Sequence, residues 1–568
     1  MRIRGFTVAV LALLSASGPE SPSTRGASSA ATLAVASGAS SPASPPPPVA
    51  RTAVVAPAVL EADDDVAPAA TWGVREASAP RVDSVDPDLP EAVVSEQEAE
   101  AEPAPADAKW FDGVLAMGAE ILKDNGPRIA STAKETWVRE KPSKRARRIG
   151  YLRAGATVRR SEDPVGNDGC KGGWYKIEPA GYVCAERTAT LDLDAMIVRA
   201  SRTRPRMDGL PYDYAIARLQ APPFYTRVPT KAEQAREEPD LGYQLRAASA
   251  IAKDAAFVAP TPIEIPSFLA VNEKGRAPQL PGLSDGPSRG GDLTVGRAKP
   301  RAGFALLDQI DVDGRAFGLT TELALIPLDR TRIIKGSSFH GLELADGTPL
   351  PVAFVMKHMA RRFTRAESGQ MTPSEPLGYR EAVPLTGKET GSGAWLEARD
   401  GTWVRGEDVR RIDPIHRMPA WASSGRRWID VSILKQSLVV YDGETPKYVT
   451  LVSTGADGLG DPKKTHSTIL GVFKIHTKHI TVTMDNDDLK TGDVFDLRDV
   501  PFVQYFKEGY ALHAAYWHDD FGTPRSHGCV NLAPIDAAWI FGFTTPTVPD
   551  GWHAALSLHK GTIVYTHP

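Results

Sequence analysis

Cysteine is nearly absent from this chain, with three residues in 568: Cys170, Cys184 and Cys529. None precedes Cys170, which excludes a lipid anchor on an N-terminal cysteine. Beyond the first twenty residues no run of about eighteen apolar residues occurs, so no further membrane-spanning helix is expected. Charge of either sign is also in small excess, a net −4. That is far from the basic surplus of a nucleic-acid binder, and no nucleic-acid partner is expected.

What is present divides by composition. Residues 1–18 read as an export signal: Arg2 and Arg4 ahead of an apolar core at 6–14, then the small residues Ser15, Ala16 and Ser17. An exported protein of the periplasm or cell envelope is therefore expected. From 19 to 108 the chain turns to Ala, Pro, Ser and acidic residues, with a local charge of −12 between Glu61 and Asp107 that leaves +8 on the rest. So little apolar surface cannot offset the ordering entropy, which predicts a disordered linker whose role is reach.

Residues 109–190 open on a helical period of apolar residues, Trp110, Phe111, Val114, Leu115, Ala119, Ile121 and Leu122, stopped by Asn125 and Gly126. Short alternating strands follow at T-W-V-R, A-T-V-R-R, G-G-W-Y-K-I and G-Y-V-C, separated by turns at Pro142 and 166–173. This segment resembles a bacterial SH3-like domain. Cys170 and Cys184 both fall within it, and two thiols so placed in an oxidising compartment predict a disulfide. Residues 191–425 read as a β-rich middle region of unassigned role, with room for a second SH3-like module. Its strands lie at 316–328 and 394–405, the latter a hairpin turning at Asp400 and Gly401. Tyr212, Tyr214, Phe224 and Tyr225 suit a sugar platform or, more commonly in β proteins, a core.

The last stretch, 426–568, alternates as a half-buried strand does at 429–433, with a partner strand at 439–441 and later strands at 448–453, 472–483, 510–514 and 562–566. Pro534 suits the first turn of a helix through Ala537, Ala538, Ile540 and Phe541. M-D-N-D-D at 484–488 lacks the later Gly and Glu of a calcium loop and reads as a solvated hairpin loop. The chemistry concentrates at A-L-H-A-A-Y-W (511–517) and S-H-G-C-V-N (526–531). Cys529 supplies a thiol, which is nucleophilic as the thiolate, and His513 a base to make it one. The twelve residues between His513 and Ser526 let a strand end leave, loop and return to its starting point. Gly528 lets the backbone approach a reacting carbonyl, so the amides of Gly528 and Cys529 are candidate oxyanion donors. Ser526 and His527 would shape the pocket. With Cys170 and Cys184 paired, Cys529 remains as a free thiol, a liability outside the cytoplasm unless it is used. A zinc site from His513, His518, His527 and Cys529 is set aside. His527 and Cys529 are not spaced as a usual chelating pair, and no second cysteine is near, so neither metal nor cofactor is expected.

The segments H-A-A-Y-W and S-H-G-C-V-N-L-A-P resemble the active-site motif of the L,D-transpeptidases (YkuD-like catalytic domain). The likeness extends over 428–441, L-V-S-T-G at 451–455 and T-I-L-G-V-F-K-I at 468–475, where Ile469 stands in the place of the usual Pro. The resemblance implies a mainly β chain: a C-terminal β-sandwich with a helix after the nucleophile, preceded by small SH3-like barrels and the linker. It also implies an activity. The expected donor is a peptidoglycan tetrapeptide stem, attacked by Cys529 with His513 as base, losing D-alanine and forming a 3-3 cross-link with a neighbouring stem. Ser526, His527 and Gly528 would serve the pocket, Asn531 would hold the loop, and His518, Trp517 and Tyr516 are candidates for substrate contact. Three other readings stay open: an envelope-protein lysine as acceptor, a carboxypeptidase that uses water, and a wall-binding scaffold with an inactive catalytic domain.

Overall fold

The strand alternation at 427–432 arises because Ile429 and Val431 enter a core while Asp430 stays nearer the surface. In the computed structural model this strand, β1 (Arg427–Ser432), pairs antiparallel with β2 (Ser437–Asp442), Ile429 opposite Val440 and Val431 opposite Leu438. Next to β2 lies β3 (Thr445–Leu451). The described residues are 126–252, 264–273, 292–344, 349–488, 493–557 and 561–568, with 75–76 and single positions between 275 and 283. The expected signal, the 110–122 helix and, apart from 75–76, the acidic linker lie outside them.

The first sheet also holds β4 (Gly471–Lys474), the strand Ile563–His567, which runs parallel to β1, and at its other edge the upstream pair Leu342–Glu343, antiparallel to β3. A second sheet faces it. Its strands β5 (Thr477–Asp488) and β6 (Asp493–Lys507) form a long hairpin, β7 (Tyr510–Ala514) joins β6, and β8 (Val530–Leu532) runs parallel to β7. Helix α1 (Pro534–Phe543) has Pro534 in its first turn, where no amide partner is lost. The sandwich core joins Ile429, Val431, Leu438 and Val440 of one sheet to Phe502, Phe506, Leu512 and Val530 of the other, with Ile540 and Phe541 of α1. Each such side chain contributes roughly 1.5–3 kcal/mol on burial.

Two strand expectations change. The single strand at 472–483 is broken: Ile475 N–H donates to Thr562 O in the first sheet and His476 N–H to Tyr505 O in the second, both at 2.9 Å. The chain crosses between sheets there, and the alternation on both sides hides it. The expected loop at 484–488 is strand, because Met484 pairs with Leu497 and Asn486 with Phe495 across the hairpin.

Upstream, residues 126–190 form seven short strands around Ile129, Val138, Leu152 and Tyr175, with Cys170 and Cys184 joined by a disulfide, Cα–Cα 5.9 Å. Strand Arg148–Leu152 adds to the sandwich through Ala554–Leu556, Tyr151 opposite Ala554. Gly150 permits it, since a Cβ there would lie 2.3 Å from Ala554 O and 2.5 Å from the Trp552 ring.

The middle region is two β modules. The first carries strands from Asp213–Ala217 to Thr331–Ile334 and three helices that strand patterning did not anticipate, among them Lys231–Glu237 and Leu241–Ala252. The second is a seven-stranded sheet from Val352–Val355 to Val409–Ile412, including the Asp400–Gly401 hairpin with Trp395 opposite Arg405. Tyr212, Tyr214, Phe224 and Tyr225 are all buried and serve as core.

Candidate active site

The parallel pairing of β7 with β8 sets His513 opposite Asn531 and Leu512 opposite Val530, so the loop from 515 to 529 returns beside its start. The return is pinned from the first sheet. Arg525 and Ser526 N–H both donate to Thr454 O, at 2.8 and 2.9 Å. Ala456 N–H donates to Ser526 O at 2.7 Å, and Ser453 and Asn531 exchange both backbone bonds at 2.9 Å.

Within the loop, Ser526 Oγ donates to Cys529 O and accepts Gly528 N–H at 3.1 Å. The Gly528 amide is therefore engaged inside the loop and is not open to an oxyanion, contrary to expectation. Glycine is needed at 528 for another reason. Its φ is +121°, and a Cβ would sit 2.7 Å from Tyr510 Cε1.

Cys529 is 7% exposed, and its thiol donates to Gly509 O at 3.5 Å. Burial pushes the thiol up to about 11, with the Ala511 backbone pulling back. His513 is buried too, and burial pushes its imidazole down to about 4. Its Nδ1 lies 3.1 Å from Ala514 O, an acceptor only, so Nδ1 carries the proton and Nε2 presents a lone pair. At neutral pH the two groups are thus a thiol and a neutral imidazole.

His518 is held as a loop-ordering group. Asp520 N–H donates to its Nδ1 at 3.2 Å and Nε2 meets the Asn531 amide at 3.0 Å. Burial, then Arg525 and His513, depress it to about 3. The ring of His527 sits edge-to-face 5.0 Å from that of His466, and burial followed by His466 lowers its pKa. Trp517 is half-buried, 5.9 Å from the His513 ring. Tyr516, a candidate for substrate contact, is a core residue instead: it is 2% exposed, lies tilted against Tyr214 of the first middle module with ring centroids 4.3 Å apart, and donates to Arg498 O at 3.2 Å.

Sequence reading missed the groups that grip the loop from upstream. Arg380 donates to Asp519 Oδ1, Oδ2 and O at 2.7–2.8 Å, Ser337 Oγ donates to Asp519, and Arg410 Nη1 donates to Gly522 O. No local pattern marks them, since the partners are 112–182 residues apart. Among the described residues the one group of donor atoms close enough for a metal is Cys170, Cys184 and Glu186, and its sulfurs are bonded to each other.

Compared with known proteins, residues 426–565 match the YkuD family, the L,D-transpeptidase catalytic domain. A curated relative, the "Putative L,D-transpeptidase YciB" of Bacillus subtilis (strain 168), is 25% identical over 140 residues, 20% of this chain and 59% of the relative. The chain thus spans less than two thirds of that relative's length. Among solved structures, an L,D-transpeptidase from Xylanimonas cellulosilytica DSM 15894 is 19% identical, covering 25% of this chain and 61% of that one, TM-score 0.19. One from Mycobacterium smegmatis is 18% identical, covering 39% and 93%, TM-score 0.20.

Proposed function

With residues 426–565 an L,D-transpeptidase catalytic domain, we propose that the chain is a peptidoglycan acyltransferase that forms a thioester on Cys529. The observation that carries this is the β7–β8 register, which brings His513 beside the Cys529 loop while Ala514 O fixes its Nδ1 proton. The neutral pair dictates the order of events. Little thiolate stands free at pH 7, so His513 Nε2 takes the Cys529 proton as sulfur attacks the stem carbonyl. With Gly528 engaged, the Cys529 amide is the loop donor left to face the oxyanion. The imidazolium then gives its proton to the departing D-alanine amine, leaving the thioester. An acceptor amine attacks in turn and loses its proton to His513, which passes it to the departing sulfur and restores the thiol. A neighbouring stem gives the 3-3 cross-link, an envelope-protein lysine gives an anchored protein, and water gives trimming.

The upstream modules fit the same setting. Residues 126–190 serve as an SH3-like wall module, and the export signal at 1–18 delivers the chain to the envelope. Intact-mass spectrometry of the protein with a carbapenem, then with a tetrapeptide stem, tests the assignment. An adduct on Cys529 and release of D-alanine are expected, both lost in Cys529→Ala. An adduct that survives this substitution would overturn it. In His513→Gln the rate should recover as pH rises, because hydroxide replaces the missing base, and a flat profile would transfer that role to His527.

A further inference from the structure

The loop that carries His518 is gripped from outside the matched domain. Arg380 belongs to the second middle module, in a turn where Glu381 N–H donates to Gly378 O at 3.0 Å and the Glu381 carboxylate accepts Gly378 N–H and Arg362. The Arg380 backbone sits at φ +62°, a conformation that glycine adopts without strain and arginine does not. Its side chain is 10% exposed, lies 4.8 Å over the Phe339 ring and 5.2 Å from that of Tyr379, and closes on Asp519 as a fork. Phe339 in turn stacks on Phe521. The strain is borne at a residue whose guanidinium makes its charged contact outside its own module and, within it, touches the Tyr379 ring.

From Asp519 the route to the site is one residue long. The neighbouring His518 is held between Asp520 N–H and the Asn531 amide, and Asn531 is the register partner of His513. We infer that Arg380 is a positioning residue for the Cys529 site: its fork on Asp519 fixes the loop, and through His518 and Asn531 the placing of His513 against the thiol. The inference rests on the acyl-transfer reading for its rate consequence, though not for its geometry. Packing alone is a weaker account. Asp519 is 55% exposed, and an ion pair with one partner in water adds little to the stability of a fold.

The test compares the full chain with Arg380→Gln, Arg380→Lys, Asp519→Asn and the double variant Arg380→Gln/Asp519→Asn. The readouts are acylation by a carbapenem, the pH profile of Cys529 alkylation by iodoacetamide, and the thermal unfolding midpoint. Each neutralising single variant should slow acylation on the order of 10- to 100-fold, as expected for a reacting group held about an ångström out of place. It should also shift the alkylation midpoint down toward the ordinary thiol range, because a loosened loop admits water. The unfolding midpoint should hardly move. The double variant should fall well short of the product of the singles, since both break the same fork, and Arg380→Lys should recover part of the rate. Unchanged acylation, additive singles, or a rate loss that tracks a fall in unfolding midpoint would each overturn the inference. If the unaltered chain is alkylated but never acylated, the acyl-transfer reading fails instead. The alkylation midpoint then decides alone, and an unshifted midpoint in Arg380→Gln removes Arg380 from the site.

Discussion

Two buried aspartates, one inside the sandwich and one where the sandwich meets its upstream modules, are shifted in opposite directions. Asp536, in the first turn of α1, accepts from Tyr448 OH at 2.8 Å, from Gly341 N–H at 2.8 Å and from Thr450 Oγ1, with no ion pair among the described residues. Burial wins over these donors and lifts its carboxyl to about 6. Asp499, on β6, accepts from Arg153 of the 126–190 segment, Thr321 of the first middle module and Thr481 of β5, while Tyr214 donates to its backbone carbonyl at 2.6 Å. Burial pushes this carboxyl up as well, but Arg153 and the two hydroxyls outweigh it and hold the group at about 2. Both sites have comparable neutral donors. The difference in contact is one guanidinium, to which the Lys134 ammonium adds from farther off, and it is placed where three parts of the chain must register.

The largest effect should come from removing that difference. Arg153→Met leaves Asp499 buried without its cation, and breaking a buried pair in this way costs about 3–5 kcal/mol. Equilibrium urea unfolding should show the loss, together with a weakened contact between residues 126–190 and the sandwich. An unfolding midpoint within error of the parent would mean that Thr321 and Thr481 suffice, and the comparison would collapse.

A smaller effect separates the two sites by pH. An unfolded aspartate titrates near 3.9. Asp536, raised in the folded chain to about 6, contributes stability that is complete below about 4 and is lost as pH rises through 6. Asp499, depressed to about 2, contributes stability that is complete above about 4 and is lost as pH falls toward 2. Asp536→Asn should therefore flatten the dependence of the urea midpoint on pH between 4 and 6 and leave the acid limb alone. Curves that stay parallel through that window would exclude Asp536 as their source.

The contrast also marks what was legible in the sequence. The first sandwich strand could be read because the buried Ile429 and Val431 flank the partly exposed Asp430, whereas β2 beside it is buried on both faces, Leu438 in the sandwich core and Val439 in a second core with Phe354. The thiol and its base could be read because one short loop joins them, His513 on the strand before it and Cys529 at its end. The reason for Gly528 could not, because Tyr510 presses on it from another strand. The helix Lys231–Glu237 carried a signal that went unread: Thr230 and Glu233 form a capping box, with Glu233 N–H donating to Thr230 Oγ1 at 3.3 Å. Arg153, Arg380 and Arg410 had no such signal. Their partners lie 112–346 residues away, and one arginine among many gives no period or motif to recognise.

The smallest expected effect sharpens the comparison from the other side. Arg206 and Asp213 form an ion pair at 3.0 Å, the same chemistry as Arg153 with Asp499, but both side chains are 53% exposed. Water already solvates each charge there, so pairing replaces little and screening weakens it further. Asp213→Asn should change the urea midpoint by an amount equivalent to about 0–1 kcal/mol, and added salt should erase the change. A loss as large as that of Arg153→Met would show that pairing itself, wherever it occurs, stabilises this chain. A negligible loss beside a large one assigns the effect to burial at the junction, where a lone carboxylate has no water to fall back on.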